Sequence, residues 1–237
     1  MKNIKFGNLL TLLVIALLLG SCFTGIKGSG KVVKNERKVE PFEAIVVSAG
    51  IEVILSQDSI LKVIVEADDN LQEIIKTEVS NGKLKIFPEE RIKSAKAKRV
   101  YVTFRDINSL KGSSGAEIKS EEELILNTLH LSASSGAGVK LGLAVNNLMV
   151  EGSSGGAITL SGSAESLDID GSSGVVIKAS DLQSKTCNAG ASSGASLKIS
   201  VTEKINAKVS SGANINVSGN PKEQDIEKSS GGNVSFN

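Results

Sequence analysis

Of 237 residues none is tryptophan, one is tyrosine (Tyr101) and six are phenylalanine. So few rings speak against a deep, ring-lined sugar cleft. Histidine occurs once. His130 has no second histidine to share a metal with, and the sequence supports no triad around it. Alternating outward between Leu129 and Leu131, it reads as a surface side chain. Cysteine occurs twice, at Cys22 and Cys187. If Cys22 is used as an anchor, no internal disulfide remains, and packing and hydrogen bonds must stabilise the fold. No charge sign dominates: 27 basic residues face 26 acids. That balance argues against nucleic-acid binding, which needs a basic excess.

The N-terminus reads as an export signal. Lys2 and Lys5 precede an apolar run, Leu9 to Leu19, broken only by Thr11. The run is too short to span a bilayer. It ends in Leu19-Gly20-Ser21-Cys22, which resembles the bacterial lipobox, and the resemblance implies acylation of Cys22 with cleavage before it. Several acyl chains would hold the protein to a membrane. Residues 1–21 are therefore expected to be removed, and 22–39 to form a tether whose first part, Phe23 to Gly30, is flexible. Phe23 is not the aspartate associated with inner-membrane retention, so the outer membrane is expected, facing either the cell surface or the periplasm.

What is abundant is a repeat. Ser-Ser-Gly occurs seven times, with its glycine at Gly115, Gly136, Gly155, Gly174, Gly194, Gly212 and Gly231, at spacings of 21, 19, 19, 20, 18 and 19 residues. Each copy carries a period-2 apolar segment on either side of the triplet, as in Leu148-Met149-Val150 and Ile158-Thr159-Leu160. The triplet sits at the corner, where glycine supplies a backbone conformation few residues share and serines hydrogen-bond locally. One copy cannot bury its apolar edge alone, so copies stack. The fold expected is all-β: a β-solenoid of about 19-residue rungs over 111–237, with Leu148, Val150, Ile158 and Leu160 inward. Cys187 falls in the frame of Leu148 and Leu167 and reads as a buried thiol. A β-propeller is the rival, but its blades need about 40 residues, and seven copies do not pair.

Residues 40–110 read as β-rich and less regular. Strands are expected over Phe42 to Val47, Ile51 to Leu55, Leu61 to Val65, Lys83 to Phe87 and Arg99 to Phe104, with a helical turn at Asp69 to Ile74. Ser48-Ala49-Gly50 looks like a degenerate copy, and a start of the solenoid there is one expectation. The charged stretch Glu89 to Arg99 is a candidate cap for its open edge.

Pro41-Phe42, Ile45, Val47-Ser48 and Gly50-Ile51 with Val53, followed by serial Ser-Ser-Gly, resemble the auto-transporter adhesin, head GIN domain family over about residues 40–220. The resemblance implies a right-handed parallel β-helix and adhesion, and it brings no catalytic residues and no cofactor. This chain has a lipid-anchor motif, and no autotransporter barrel is expected behind the repeats.

Stacking converts sequence columns into surface stripes. One outward column carries Lys119, Lys140, Thr159, Lys178 and Lys198, a strip suited to an acidic polysaccharide or simply a soluble face. Another region carries Met149, Glu151, Asp168 and Asp170. Glu151 and Asp170 would be rung neighbours, a candidate cation site or acid pair of the kind a retaining glycosidase uses. Three functions follow. The first is a non-enzymatic envelope module binding polysaccharide or a cell-surface ligand. The second is a structural protein that self-associates along the solenoid ends. The third is a carbohydrate-active enzyme.

Overall fold

Each Ser-Ser-Gly triplet turns the chain with two successive left-handed residues. At the seven triplets the second serine has φ of 44 to 51° and the glycine φ of 68 to 75°. Both central residues at positive φ is the type I′ pattern, and the turn is closed by Ala116 N donating to Ser113 O at 3.1 Å, and likewise by Ala137 N to Ser134 O. A Cβ at any of the seven glycines would meet nothing within 4 Å, so glycine is required there for conformation and not for space. Sequence reasoning gave the special conformation to glycine alone; the serine before it shares it. Successive corners are joined by backbone bonds, Gly115 N to Ser135 O (3.0 Å) and Gly136 N to Ser154 O (3.2 Å) among them.

The computed structural model describes residues 25–237. Its strands are β1 (Ile26–Lys27), β2 (Val32–Arg37), β3 (Ala44–Val47), β4 (Glu52–Gln57), β5 (Lys62–Asp68), β6 (Ile75–Ser80), β7 (Lys83–Pro88), β8 (Ile92–Ser94), β9 (Lys98–Phe104) and β10 (Ser109–Gly112). The long strands β11 (Glu117–Ala133), β12 (Gly138–Gly152), β13 (Ala157–Gly171), β14 (Val176–Ala191) and β15 (Ser196–Val209) follow, then β16 (Asn214–Ser218), β17 (Glu223–Lys228) and β18 (Asn233–Phe236). From β10 onward every pairing is parallel. This is a β-solenoid, with rungs about 4.8 Å apart.

Alternation fixes what lies inside. Leu148, Val150, Ile158 and Leu160 are buried and stack in register: Leu148 on Leu167, and Leu167 on Cys187. At Asn146-Asn147 two successive residues face out and the inward phase slips by one. Side-chain amides stack at some outward positions, Asn146 Nδ2 donating to Asn127 Oδ1 at 2.9 Å. Next to the corners the inward column is made of small residues, Ala133, Gly152, Gly171 and Ala191, because Val175 and Ile177 fill the space a Cβ on Gly152 would need.

The solenoid begins before the first full Ser-Ser-Gly. Ala49 (φ 55°) and Gly50 (φ 72°) repeat the corner conformation. β3 and β4 stack under β10 and β11, so residues 58–108 are an insertion between two stacked rungs. Within it β7 and β9 lie parallel beneath β3 and β4. The edges are then closed by antiparallel strands: β6 on β7, β5 on β9, and β2 on β5. These strands cover the edge, whereas Glu89 to Arg99 runs beside them and contributes β8, which pairs with β1. The helical turn is confined to Asp69–Leu71.

The expected tether needs correction from Ile26 onward. β1 and β2 are strands, and the buried carboxylate of Asp68 accepts from Gly30 N (2.8 Å), Lys96 N (3.1 Å) and Ala97 N (2.9 Å). Arg37 Nη2 donates to Gln72 O (2.5 Å) and Oε1 (3.0 Å). The segment is held by main-chain pairing rather than by burial of its own side chains, so its polar run Lys34 to Arg37 hid it. Cys22 and the signal-like segment lie outside the described residues.

Candidate functional site

The lysine column forms as the repeat frame requires. Lys119 pairs with Lys140, Lys140 with Thr159, Thr159 with Lys178 and Lys178 with Lys198 on consecutive rungs. Above Lys198 the column continues as Asn216 and Ser235; below Lys119 it continues as Ile54 and Tyr101. Lys140, Lys178 and Lys198 are exposed and, among the described residues, none is in an ion pair. The parallel outward column two residues earlier is mostly small and neutral: Gly138, Ala157, Val176 and Ser196. The result is a shallow face with a raised row of ammonium groups.

Lys119 differs from the others. Its Nζ lies 2.5 Å from Glu52 Oε1, and Arg99 Nε holds the other oxygen at 2.8 Å. Burial pushes the Glu52 carboxyl up, but hydrogen bonds and charge from Lys119 and Arg99 outweigh it and hold it below its usual range. Arg99 also reaches Glu66 Oε2 (3.1 Å), which accepts from Tyr101 Oη (2.9 Å). Beside this network a groove of about 580 Å³ opens, bounded by Gly50, Lys96, Lys98, Gly115, Lys119 and Lys140. Lys98 Nζ would lie 2.8 Å from a Cβ on Gly50, so the bare glycine makes room for that ammonium group.

The acidic residues form a second, separate patch. Met149 pairs with Asp168, and Glu151 with Asp170, on adjacent rungs. Glu151 is held from the rung below, its Oε2 lying 3.0 Å from His130 Nε2. Asp170 lies over Gly190, in the space a Cβ there would occupy. Burial first, then the charges of Asp168 and Glu151, raises the Asp170 carboxyl above its usual range. An open groove of about 710 Å³ runs past Glu151 and Asp170 along the corner serines Ser153, Ser172 and Ser192 to Lys208. Among the described residues no three His, Cys, Asp or Glu side chains come together as a metal-binding group.

Cys187 is buried in the core, and burial, with a smaller effect from the Asp168 charge, pushes its thiol up to about 12. A thiol so placed stays protonated and unreactive at neutral pH. The repeat thus disclosed both outward columns and the thiol. It could not disclose Lys96 and Lys98, which the insertion brings to the foot of the lysine column.

Comparison with known proteins places this architecture. The chain resembles a "putative adhesin" from Bacteroides fragilis NCTC 9343, with a TM-score of 0.84 at 19% identity over 90% of this chain and 100% of that one. A "putative adhesin" from Parabacteroides distasonis ATCC 8503 gives a TM-score of 0.70 at 20% identity, covering 90% and 100% of the two chains. A "putative lipid binding protein" from the same organism gives 0.69 at 18% identity, covering 89% and 99%. At such identities the likeness is one of fold. No match is found among curated proteins. The family described as "Putative auto-transporter adhesin, head GIN domain" matches residues 41–221, and the chain belongs to that family.

Proposed function

We propose that this protein is a non-enzymatic binding module of the cell envelope, anchored through acylated Cys22 in the outer membrane, whose lysine face captures an acidic polysaccharide. The observation that carries the reading is the register of Lys140, Lys178 and Lys198 in one outward column. Like charges stacked on neighbouring rungs repel each other and cost stability, and a polyanion lying along the column relieves that cost. The flat neutral column beside it gives such a chain room to lie. The adhesin description of the family agrees with a protein that works by surface contact.

The test is retention of the detergent-solubilised full chain on immobilised polygalacturonate and dextran sulfate, with neutral dextran as control. The wild-type protein is retained on both acidic polymers and released by salt, since screening shortens from about 10 Å at 0.1 M to about 3 Å at 1 M. Lys140→Glu/Lys178→Glu/Lys198→Glu flows through. Equal retention of the two proteins removes the lysine face from consideration.

A further inference from the structure

The lysine column is closed at one end and open at the other. Toward the C-terminal rungs it fades into Asn216 and Ser235. Toward the cap it stops at the apolar Ile54 and at Tyr101, whose hydroxyl is already engaged by Glu66. There Lys96, in the loop between β8 and β9, and Lys98, at the start of β9, line the same groove as Lys119 and Lys140. Four lysines and Arg99 line that groove with two carboxylates, Glu52 and Glu117. Glu52 is already engaged by Lys119 and Arg99. Among the described residues Lys96, Lys98 and Lys140 are in no ion pair.

From this geometry we infer that the groove is an end-site: it takes the terminal anionic sugar of an acidic polysaccharide, while Lys178 and Lys198 hold the chain that follows. The inference rests on the polysaccharide reading of the lysine face and adds to it a polarity and a specificity for chain ends. Three lysines in no ion pair among the described residues, Lys96, Lys98 and Lys140, line it from two sides, the cap and the stacked rungs. Along the open column each rung offers at most one. A single anionic group therefore gains most at the groove, where partly enclosed charges are screened less than those on an open face. A carboxylate or a sulfate satisfies this chemistry equally. The groove's volume of about 580 Å³ falls within the range of small-molecule sites, about 300–1,000 Å³.

The test compares a short and a long probe on the detergent-solubilised full chain. Trigalacturonate is the short probe, sulfated maltotriose its sulfate counterpart, maltotriose the neutral control, and polygalacturonate the polymer. The end-site account predicts that wild type binds at least one charged trisaccharide and not maltotriose, and which one binds identifies the anion. Lys96→Glu/Lys98→Glu weakens that binding by about tenfold or more, as loss of two ion pairs and gain of two repulsions requires. Lys178→Glu/Lys198→Glu leaves trisaccharide binding unchanged and weakens only the polymer. Lys96→Gln/Lys98→Gln gives an intermediate loss, which separates charge from any disturbance of the cap. If neither charged trisaccharide binds, or if binding ignores Lys96 and Lys98 while the polymer still depends on Lys178 and Lys198, the end-site is wrong and the lysine face stands. If polymer binding ignores all four lysines, both fall.

Discussion

Lys119 and Glu52 meet at 2.5 Å across two stacked rungs, although the whole insertion separates them in sequence. The contact neutralises the lowest lysine of the column and leaves the rows above it charged. Glu52→Gln should free Lys119, and retention on dextran sulfate should then shift to higher salt. Because the pair is partly exposed, stability should fall by no more than about 1 kcal/mol. Unchanged or weaker retention would show that Lys119 does not belong to the binding face.

Acid should loosen the cap before the repeats. The carboxyls of Asp68, Glu66 and Glu52 are all held below their usual range. For Asp68 burial works upward and is outweighed by the backbone N–H groups of Ala97, Gly30 and Lys96. A depressed folded value stabilises above the ordinary carboxylate range, and that contribution is lost as pH falls through the folded value. Protection of the Gly30, Lys96 and Ala97 amides, measured against their intrinsic exchange rates, should therefore fall below about pH 4, ahead of amides in β12 to β14. Asp68→Ala should produce the same local loss of protection at neutral pH. Uniform exchange across cap and rungs would count against this.

Asp170 has the opposite sign. Its carboxyl is raised, so the neutral form is favoured in the folded state, and stability is lost as pH rises through the folded value. Asp170→Asn should raise the melting temperature at pH 7 and have no effect at a pH below both its folded and unfolded values. A lower melting temperature at pH 7 would mean that Asp170 makes a stabilising contact as a carboxylate.

Two glycines separate conformational from steric demand. Gly174 has φ of 71° with nothing near a Cβ, while Gly162 has φ of 108° and a Cβ there would run into the Leu143 carbonyl. Gly174→Ala should cost about 1 kcal/mol, the left-handed penalty alone. Gly162→Ala should cost at least about 2 kcal/mol, since strain adds to a clash that backbone cannot easily relieve. Urea midpoints of the two variants decide it; equal costs would show that the rungs shift freely.

The repeat made the register legible because period-2 alternation and near-constant spacing leave one way to stack the copies. That is why Cys187 could be placed on Leu167, and Glu151 beside Asp170, from sequence. Left-handed serine was not legible, since Ser135 and Ser134 look alike in a string and differ only in φ. Nor was the cap. β2 buries little and is recruited by antiparallel pairing with β5, an interaction between main chains that side-chain patterns do not encode. Lys96 and Lys98 were visible as charges but not as neighbours of Lys119, because nothing local announces that residues 58–108 are inserted between stacked rungs.

The measurement that bears most directly on the account is labelling of intact cells with a membrane-impermeant amine reagent, with lysed cells as control. Lys140, Lys178 and Lys198 are exposed, so a module that meets polysaccharide outside the cell must react at these lysines before lysis. The account predicts equal labelling of the three in intact and lysed cells. Protection until lysis would place the solenoid in the periplasm, contradict adhesion, and leave an envelope scaffold as the function to pursue.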